Sequence, residues 1–317
     1  MSLLDQLVDT DVLKINRSTD FDHFRGIERV GDVRSIPLDL KGFAASFATV
    51  ALKSSAIHLQ RTFPRILQGT YRSSGAIVAF AMDETVSATL NGAPMDLPAV
   101  MLSRGNAPCE VLESRSNLFA ILNFDVVDAR DWPGRLDSAL LIPTRAADLD
   151  ALRALTRDVF TLASRPGSFV EPHLIENLEE SLLQAVDRVM QAMPEAAGRR
   201  SNLTQYLALV RTLDEYLAFN AARTLYSADI ASELGVSVRT LHNAVTTIRG
   251  MSLHRYVRLK RLWNVRQQLV LGPSATVIKS IAQANGFWHM GEFGSLYRMT
   301  FGETPQQTLA AARDRRN

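Results

Sequence analysis

Two stretches, Ser227-Ala-Asp-Ile-Ala-Ser-Glu-Leu-Gly235 and Thr276-Val-Ile-Lys-Ser-Ile-Ala-Gln-Ala-Asn-Gly286, repeat one pattern about 50 residues apart. Each reads as a short helix with its apolar residues on one side: Ile230, Ala231 and Leu234 in the first, Ile278, Ile281 and Ala282 in the second. A glycine then supplies the positive φ that a tight interhelical turn needs. Ser227 is expected to cap the first short helix. Ser237 is expected to cap the next, Val238 to Ile248, with Leu241, Val245 and Ile248 inward. In the second unit Phe287, Phe293, Tyr297 and Phe301 continue at helical spacing until Gly302-Glu-Thr-Pro305. A small residue where two helices cross, a turn glycine and a cap form the helix-turn-helix pattern, here at about 227–248 and 276–300.

Between the units, Ser252 to Leu271 reads as one long helix with Leu253, Val257 and Trp263 apolar and Arg255, Arg258, Lys260, Arg261 and Arg266 basic. Such a connector spans about 30 Å, close to the ~34 Å of one turn of B-DNA. Two reading helices could then enter successive major grooves on one face of a duplex. The outward positions of the first are Arg239, Thr240, His242, Asn243, Thr246 and Thr247. Arginine pairs with guanine O6/N7 and asparagine with adenine N6/N7, whereas an ordinary solvated face is the alternative reading. Arg249, Arg255, Arg258 and Lys279 are assigned to phosphates, where charge matters and base identity does not. The second reading helix offers His289, Met290, Gly291, Glu292, Gly294 and Ser295. Its glycines weaken a helix by about 1 kcal/mol each, and Glu292 repels phosphate. Its contact is expected to be led by shape or backbone, with Ser295 and Arg298 touching.

The charge distribution agrees. Across 317 residues the net charge is +2, yet residues 1–199 carry 20 basic and 26 acidic side chains and residues 200–317 carry 15 and 7. One part avoids polyanions and the other seeks them. With 46% hydrophobic residues a core is assured, which excludes a disulfide-stapled miniprotein and a disordered chain. The single Cys109 allows no internal disulfide and fits a reducing compartment. The N-terminal ten residues place acids where a signal peptide needs positive charge. The longest apolar run, Ala76 to Met82, falls far short of the ~20 residues that span a bilayer. The expectation is a soluble cytoplasmic protein with no membrane partner.

From about Asp32 to Asp125, short apolar stretches alternate with turn chemistry, and Phe43–Leu52, Ala76–Met82, Thr85–Leu90 and Leu118–Phe124 read as strands. Asn91-Gly92 suits a type I′ turn, closing a hairpin onto Ala93–Leu97. Pro94 and Pro98 push that return strand to an edge. The spacing indicates a small barrel or double-sheet roll. After Pro143 the period becomes helical, over Ala147–Ala163 and from Pro172 to about Met193. In the second of these helices Leu174, Leu178, Leu182, Ala185 and Val189 form one stripe, read equally as packing within the domain or as a dimer seam. Pro194 to Asn202 reads as a linker.

The segment from about Leu203 to Arg313 resembles the DNA-binding domain of AraC/XylS-type transcription regulators. The match rests on Ile281-Ala282, Gly286-Phe287, Phe293, Tyr297-Arg298, Phe301-Gly302 and Thr304-Pro305, with Ala231, Gly235, Ser237, Leu241 and Gly250 in the first unit. The resemblance implies a seven-helix, two-motif domain on promoter DNA, with RNA polymerase as a partner. Arg239, His242 and Asn243 fall where the family reads bases. It also implies that the N-terminal half is a cupin-like module for effector sensing and dimerisation.

The expected fold is α+β: a β-rich cupin-like roll over 1–145, a helical dimerisation segment and linker over 146–199, and an all-α DNA-binding domain over 200–317. The strand region holds His58, with His23 before and His173 after it, and no His-x-His pair, so neither metal nor other cofactor is expected. His58 reads as a surface or hydrogen-bonded histidine, and Cys109 as no nucleophile. Arg61, Arg65 and Arg72 suit a carboxylate ligand or, on the preferred reading, solvated loops. The effector itself is not identified. The function read is a non-enzymatic, sequence-specific transcription regulator. The alternatives are a cupin-type enzyme with an accessory nucleic-acid module and a non-specific architectural DNA binder.

Overall fold

The computed structural model describes residues 3–315 except 28–31, 72, 97, 126, 128–129, 135, 168–171, 192–199, 221–224 and 274–276. Arg72, Leu97, Thr276 and most of the expected linker therefore lie outside the described residues. The chain separates into two compact units, residues 1–35 with 43–198, and residues 36–42 with 199–317.

The first unit holds α1 (Leu3–Gln6), β1 (Leu13–Ser18), α2 (Phe21–Ile27), β2 (Asp32–Pro37) as far as Ser35, β3 (Ala45–Ala51), β4 (Ser55–Arg61), β5 (Arg65–Thr70) and β6 (Ala76–Ala81). It continues through β7 (Ala88–Leu90), β8 (Ala93–Pro94), β9 (Ala99–Arg104), β10 (Pro108–Glu113), β11 (Leu118–Phe124), β12 (Leu140–Pro143), α3 (Ala146–Ala163) and α4 (Pro172–Met190). The strands form a seven-stranded sheet in the order β1-β3-β4-β11-β6-β9-β12 and a five-stranded sheet in the order β2-β5-β10-β7-β8. The strands pair antiparallel, as β1 does with β3, β4 with β11 and β5 with β10, and the architecture is a jelly-roll-like pair of sheets followed by helices.

The two faces of the larger sheet do different work. One carries Val50, Leu59, Val78, Phe80 and Leu122 against Leu152, Phe160, Leu182 and Val186 of α3 and α4. The other carries Ile77, Ala79, Phe119 and Ile121 against Leu67, Tyr71, Leu90 and Cys109. Strand β6 is buried at every residue, which explains its unbroken apolar run. Asn91 (φ 52°) and Gly92 (φ 84°) turn the hairpin of β7 and β8, pairing Leu90 with Ala93. The strands are shorter than the sequence suggested, and β8 lies at the sheet edge where Pro94 needs no partner.

Helix α4 is held to its own unit. Leu182, Ala185 and Val189 are buried in the core, and Leu178 packs against it half-buried. Buried Glu179 accepts hydrogen bonds from the Lys53 and Ser54 amides and the Ser54 hydroxyl. Arg130 pairs with Glu180 at 2.9 Å and with Asp187, while the Trp132 indole donates to Asp187 at 2.7 Å. The stripe weighed as a dimer seam is consumed by packing within this unit, with Leu174 half-buried at its N-terminal end. Arg65 is also not a solvated loop residue: it lies on β5, buried, 2.8 Å from Glu113. Arg61 ends β4 beside Asp83 at 3.5 Å.

His58 stacks on Phe47, and its Nδ1 lies 3.0 Å from the Thr49 hydroxyl oxygen. Burial lowers its pKa from 6.5 to about 4. The unfolded chain therefore binds the extra proton between those values, so the stability tied to neutral His58 is complete above pH ~6.5 and falls as pH drops through 4. The full loss is about 3 kcal/mol. We expect denaturant unfolding of the first unit to show this decline, and His58→Gln to flatten it. An equal decline in the variant would assign it to other groups.

The second unit contains α5 (Arg200–Phe219), α6 (Ser227–Glu233), α7 (Val238–Arg249), α8 (Leu253–Leu271), α9 (Ile278–Ala284), α10 (Met290–Phe301) and α11 (Pro305–Asp314). No helix among the described residues is long and apolar enough to cross a membrane.

Candidate nucleic-acid interface

The sequence folds into two helix-turn-helix units, α6–α7 and α9–α10, joined by α8. Gly235 (φ 65°) and Gly286 (φ 80°) make the turns, and Gly250 (φ 62°) and Gly302 (φ 75°) end the reading helices in the left-handed region. Ser237 caps α7, its Oγ accepting from the Thr240 amide at 3.0 Å. Ser227 does not cap α6. The N-cap is Tyr226, with no side-chain cap, and Ser227 is the first helical residue.

Buried Leu241, Ala244, Val245 and Ile248 fix which way α7 faces. Arg239, Asn243 and Thr246 are left exposed, three and four residues apart on one face, with Thr240, His242 and Thr247 half-exposed beside them. The Thr240 hydroxyl lies 2.8 Å from Ser237 Oγ, so that side chain belongs to the cap. The arrangement offers a guanidinium and a carboxamide to base edges, with flanking hydroxyls and an imidazole.

On α10, Phe293, Tyr297 and Phe301 are buried, with neighbouring ring centroids 5.7 and 4.6 Å apart. Tyr297 and Thr308 hydroxyl oxygens lie 2.8 Å apart. Gly291, Glu292, Ser295, Arg298 and Met299 are exposed. A Cβ added at Gly291 or Gly294 would meet nothing within 4 Å, and neither residue has positive φ. The protein's own fold therefore does not require glycine there, and the face is bare. Ser295 donates its hydroxyl to the Gly291 carbonyl at 3.0 Å, which leaves it chiefly an acceptor.

The 19 residues of α8 make a spacer of about 28 Å. Of its basic side chains, Arg255 and Arg258 are exposed, as is Lys279 on α9. The others build the domain. Lys260 pairs with Asp214 at 3.2 Å, Arg266 pairs with Glu303 at 3.0 Å and covers the Phe301 ring, and burial draws the Arg261 pKa down. Arg249 overturns its assignment to phosphate: it is 1% exposed, pairs with Asp214 of α5 at 2.9 Å and lies over the Tyr256 ring. A cation at the last turn of α7 satisfies the helix dipole, and an acid on α5 captures it from within. Tyr256 donates its phenol to the same carboxylate, and burial raises its pKa well above 10. Asp214 is the organising residue that the sequence reading missed, because a lone acid on an amphipathic helix has no motif.

A family model described as "Helix-turn-helix domain" matches residues 230–311, the span from α6 into α11. The C-terminal unit carries that helix-turn-helix domain, as the resemblance to AraC/XylS-type regulators implies. The probable thc operon regulatory protein of Rhodococcus erythropolis is 33% identical over 194 residues, covering 59% of this chain and 51% of that protein. The XylDLEGF operon transcriptional activator of Pseudomonas putida is 34% identical over 97 residues, 30% of each chain. The chain thus spans about half the length of the first relative and under a third of the second. Among solved structures, a probable AraC family transcriptional regulator from Rhodopseudomonas palustris is 30% identical, covering 33% of this chain and 97% of that one, with a TM-score of 0.31. The residues shared with the AraC/XylS pattern, Ala231, Gly235, Leu241, Gly286, Phe293 and Tyr297, are turn and core positions of the two motifs. They specify the scaffold on which the exposed side chains sit.

Proposed function

We propose that this chain is a sequence-specific, DNA-binding transcription regulator, acting in the cytoplasm on double-stranded promoter DNA through residues 200–317. The observation that carries the reading is the exposed face of Arg239, Asn243 and Thr246 on a capped helix, repeated as a scaffold one long helix away. Arg239 and Asn243 read bases, with Thr240, His242 and Thr246 beside them. Arg255, Arg258 and Lys279 hold phosphates. Ser295 and Arg298 make a lesser contact from the bare second helix. RNA polymerase is the protein partner in this reading, and no catalytic step is assigned.

An effector would act through the first unit by binding its DNA-competent and incompetent arrangements unequally. Inside the roll, Gln60, Arg65 and Glu113 meet Tyr71, Met95 and Met101 around a cavity of about 30 Å³. That is roughly one water, so a larger effector must displace the flexible methionines on entry. A homodimer, if formed, would use a surface other than the buried part of the α4 stripe.

Selection of bound sequences from a random DNA pool tests the reading. The native chain is expected to recover one motif of about two helical turns. Arg239→Ala and Asn243→Ala are each expected to relax the preference at one position by about 1–3 kcal/mol. Arg255→Ala should instead weaken all sequences alike and make the salt dependence shallower by about one unit. Recovery of no motif would leave only a non-specific binder. Preference surviving both α7 variants but lost in Ser295→Ala would reverse the ranking of the two helices.

A further inference from the structure

The second unit contains a cleft of about 280 Å³ between its two helix-turn-helix motifs. Its walls come from three places: the start of α6, the N-terminal half of α8, and the turn and first residues of α10. Ile230, Leu253, Val257 and Phe293 form an apolar floor and are buried. His254, Arg258, Arg261 and His289 line the cleft against one acid, Glu292. Trp288 stands at the same site with 61% of its surface exposed, whereas Trp132 and Trp263 are 6% and 2% exposed. A large aromatic left in water beside cationic groups, over an apolar floor, suits a ligand that alternates anionic and apolar surface.

We infer that this cleft seats the sugar–phosphate strand that crosses between the two major grooves, so that the domain grips DNA at three points. Arg258 meets the phosphate, His254 and His289 flank it, and Trp288 lies against the deoxyribose. The inference rests on the proposed DNA-binding function and adds to it a site between the reading helices. Its position supports the occupant, because it lies between the first helix of one motif and the reading helix of the next. Charge supports it as well, since Glu292 is the only carboxylate among the lining groups. A protein segment is the rival occupant.

The test uses the full chain, the duplex recovered by selection and a random-sequence duplex of equal length. In the free protein, iodide should quench mainly Trp288, and Trp288→Phe should remove that quenchable fraction. Bound to either duplex, the native chain is expected to lose most of its iodide quenching. Replacing the one or two phosphates midway between the two groove contacts by neutral methylphosphonates should weaken the native chain several-fold. The same replacement should have little effect on Arg258→Ala, whose salt dependence is already shallower by about one unit. If the native chain binds the selected duplex but Trp288 stays fully quenchable and the central phosphates are dispensable, the cleft is not a DNA seat and the proposed function survives. If it binds neither duplex, both fall.

Discussion

Replacing Asp214 by alanine is expected to cost the C-terminal unit about 3–5 kcal/mol, the loss seen when one partner of a buried ion pair is removed. In a unit of this size that corresponds to a fall of roughly 10–20 °C in its unfolding temperature. The reason is convergence. One carboxylate on α5 accepts from Arg249 at the end of α7, from Lys260 on α8 and from the Tyr256 phenol. Arg249 and Lys260 have side chains only 1% and 12% exposed, so water cannot fully replace the lost acceptor. Hydrogen exchange should locate the damage in peptides from α5, α7 and α8, with the β-roll unaffected. Asp214→Asn, which keeps an acceptor oxygen but not the charge, should fall between. The consequence reaches the reading face because Arg249 is the anchor that fixes α7 against α8. At a temperature where the variant remains helical, its sequence preference should still be blurred. A variant with native stability would show that the Asp214 cluster is not what orients the reading helix.

What could be read from the sequence depended on whether a structural role leaves a periodic or conformational trace. The α7 face was legible because Leu241 and Val245 define the buried side, so Arg239 and Asn243 follow by elimination. The glycine turns were legible because only positive φ explains the residue. Polar strands were not. Strand β1, Leu-Lys-Ile-Asn-Arg-Ser, lies at a sheet edge and carries exposed side chains, so it lacks a clean alternating pattern. Charged side chains were misassigned most often, since Arg249 and Arg65 differ from Arg255 and Arg258 only by partners distant in sequence. The same long-range pairing hid the fate of the α4 stripe. Apolar spacing shows that a face will be covered, but not whether its cover comes from the same chain. The cleft beside Trp288 was invisible for a related reason, since its walls come from three segments spread over some 70 residues.

Glu113→Ala is expected to cause a loss of similar size, about 3–5 kcal/mol, in the β-roll. Glu113 ends β10 with its side chain 1% exposed and accepts from Arg65 Nε at 2.8 Å, from Asn117 Nδ2 at 2.9 Å and from the Thr62 hydroxyl. Arg65 in turn donates to the Ser35 hydroxyl at 3.1 Å and lies over the Phe63 ring. Alanine would leave the guanidinium buried beside a void, and the Thr62 hydroxyl and Asn117 amide would each keep only a backbone carbonyl, of Asn117 and Arg115, as acceptor. Faster hydrogen exchange in peptides from β5 and β10, with α5 to α8 unchanged, is the expected signature. The double variant Arg65→Met with Glu113→Leu separates the two sources of that loss. Removing both charges avoids the unpaired guanidinium, so stability should return part of the way, while Thr62 and Asn117 keep it below native. If the double variant were no better than Glu113→Ala, the neutral donors rather than the charge would dominate. If it exceeded the native chain, the ion pair would be a stability cost that the roll carries for another reason. Because Arg65 and Glu113 line the interior cavity, that reason would be to keep a polar pair available to whatever enters it.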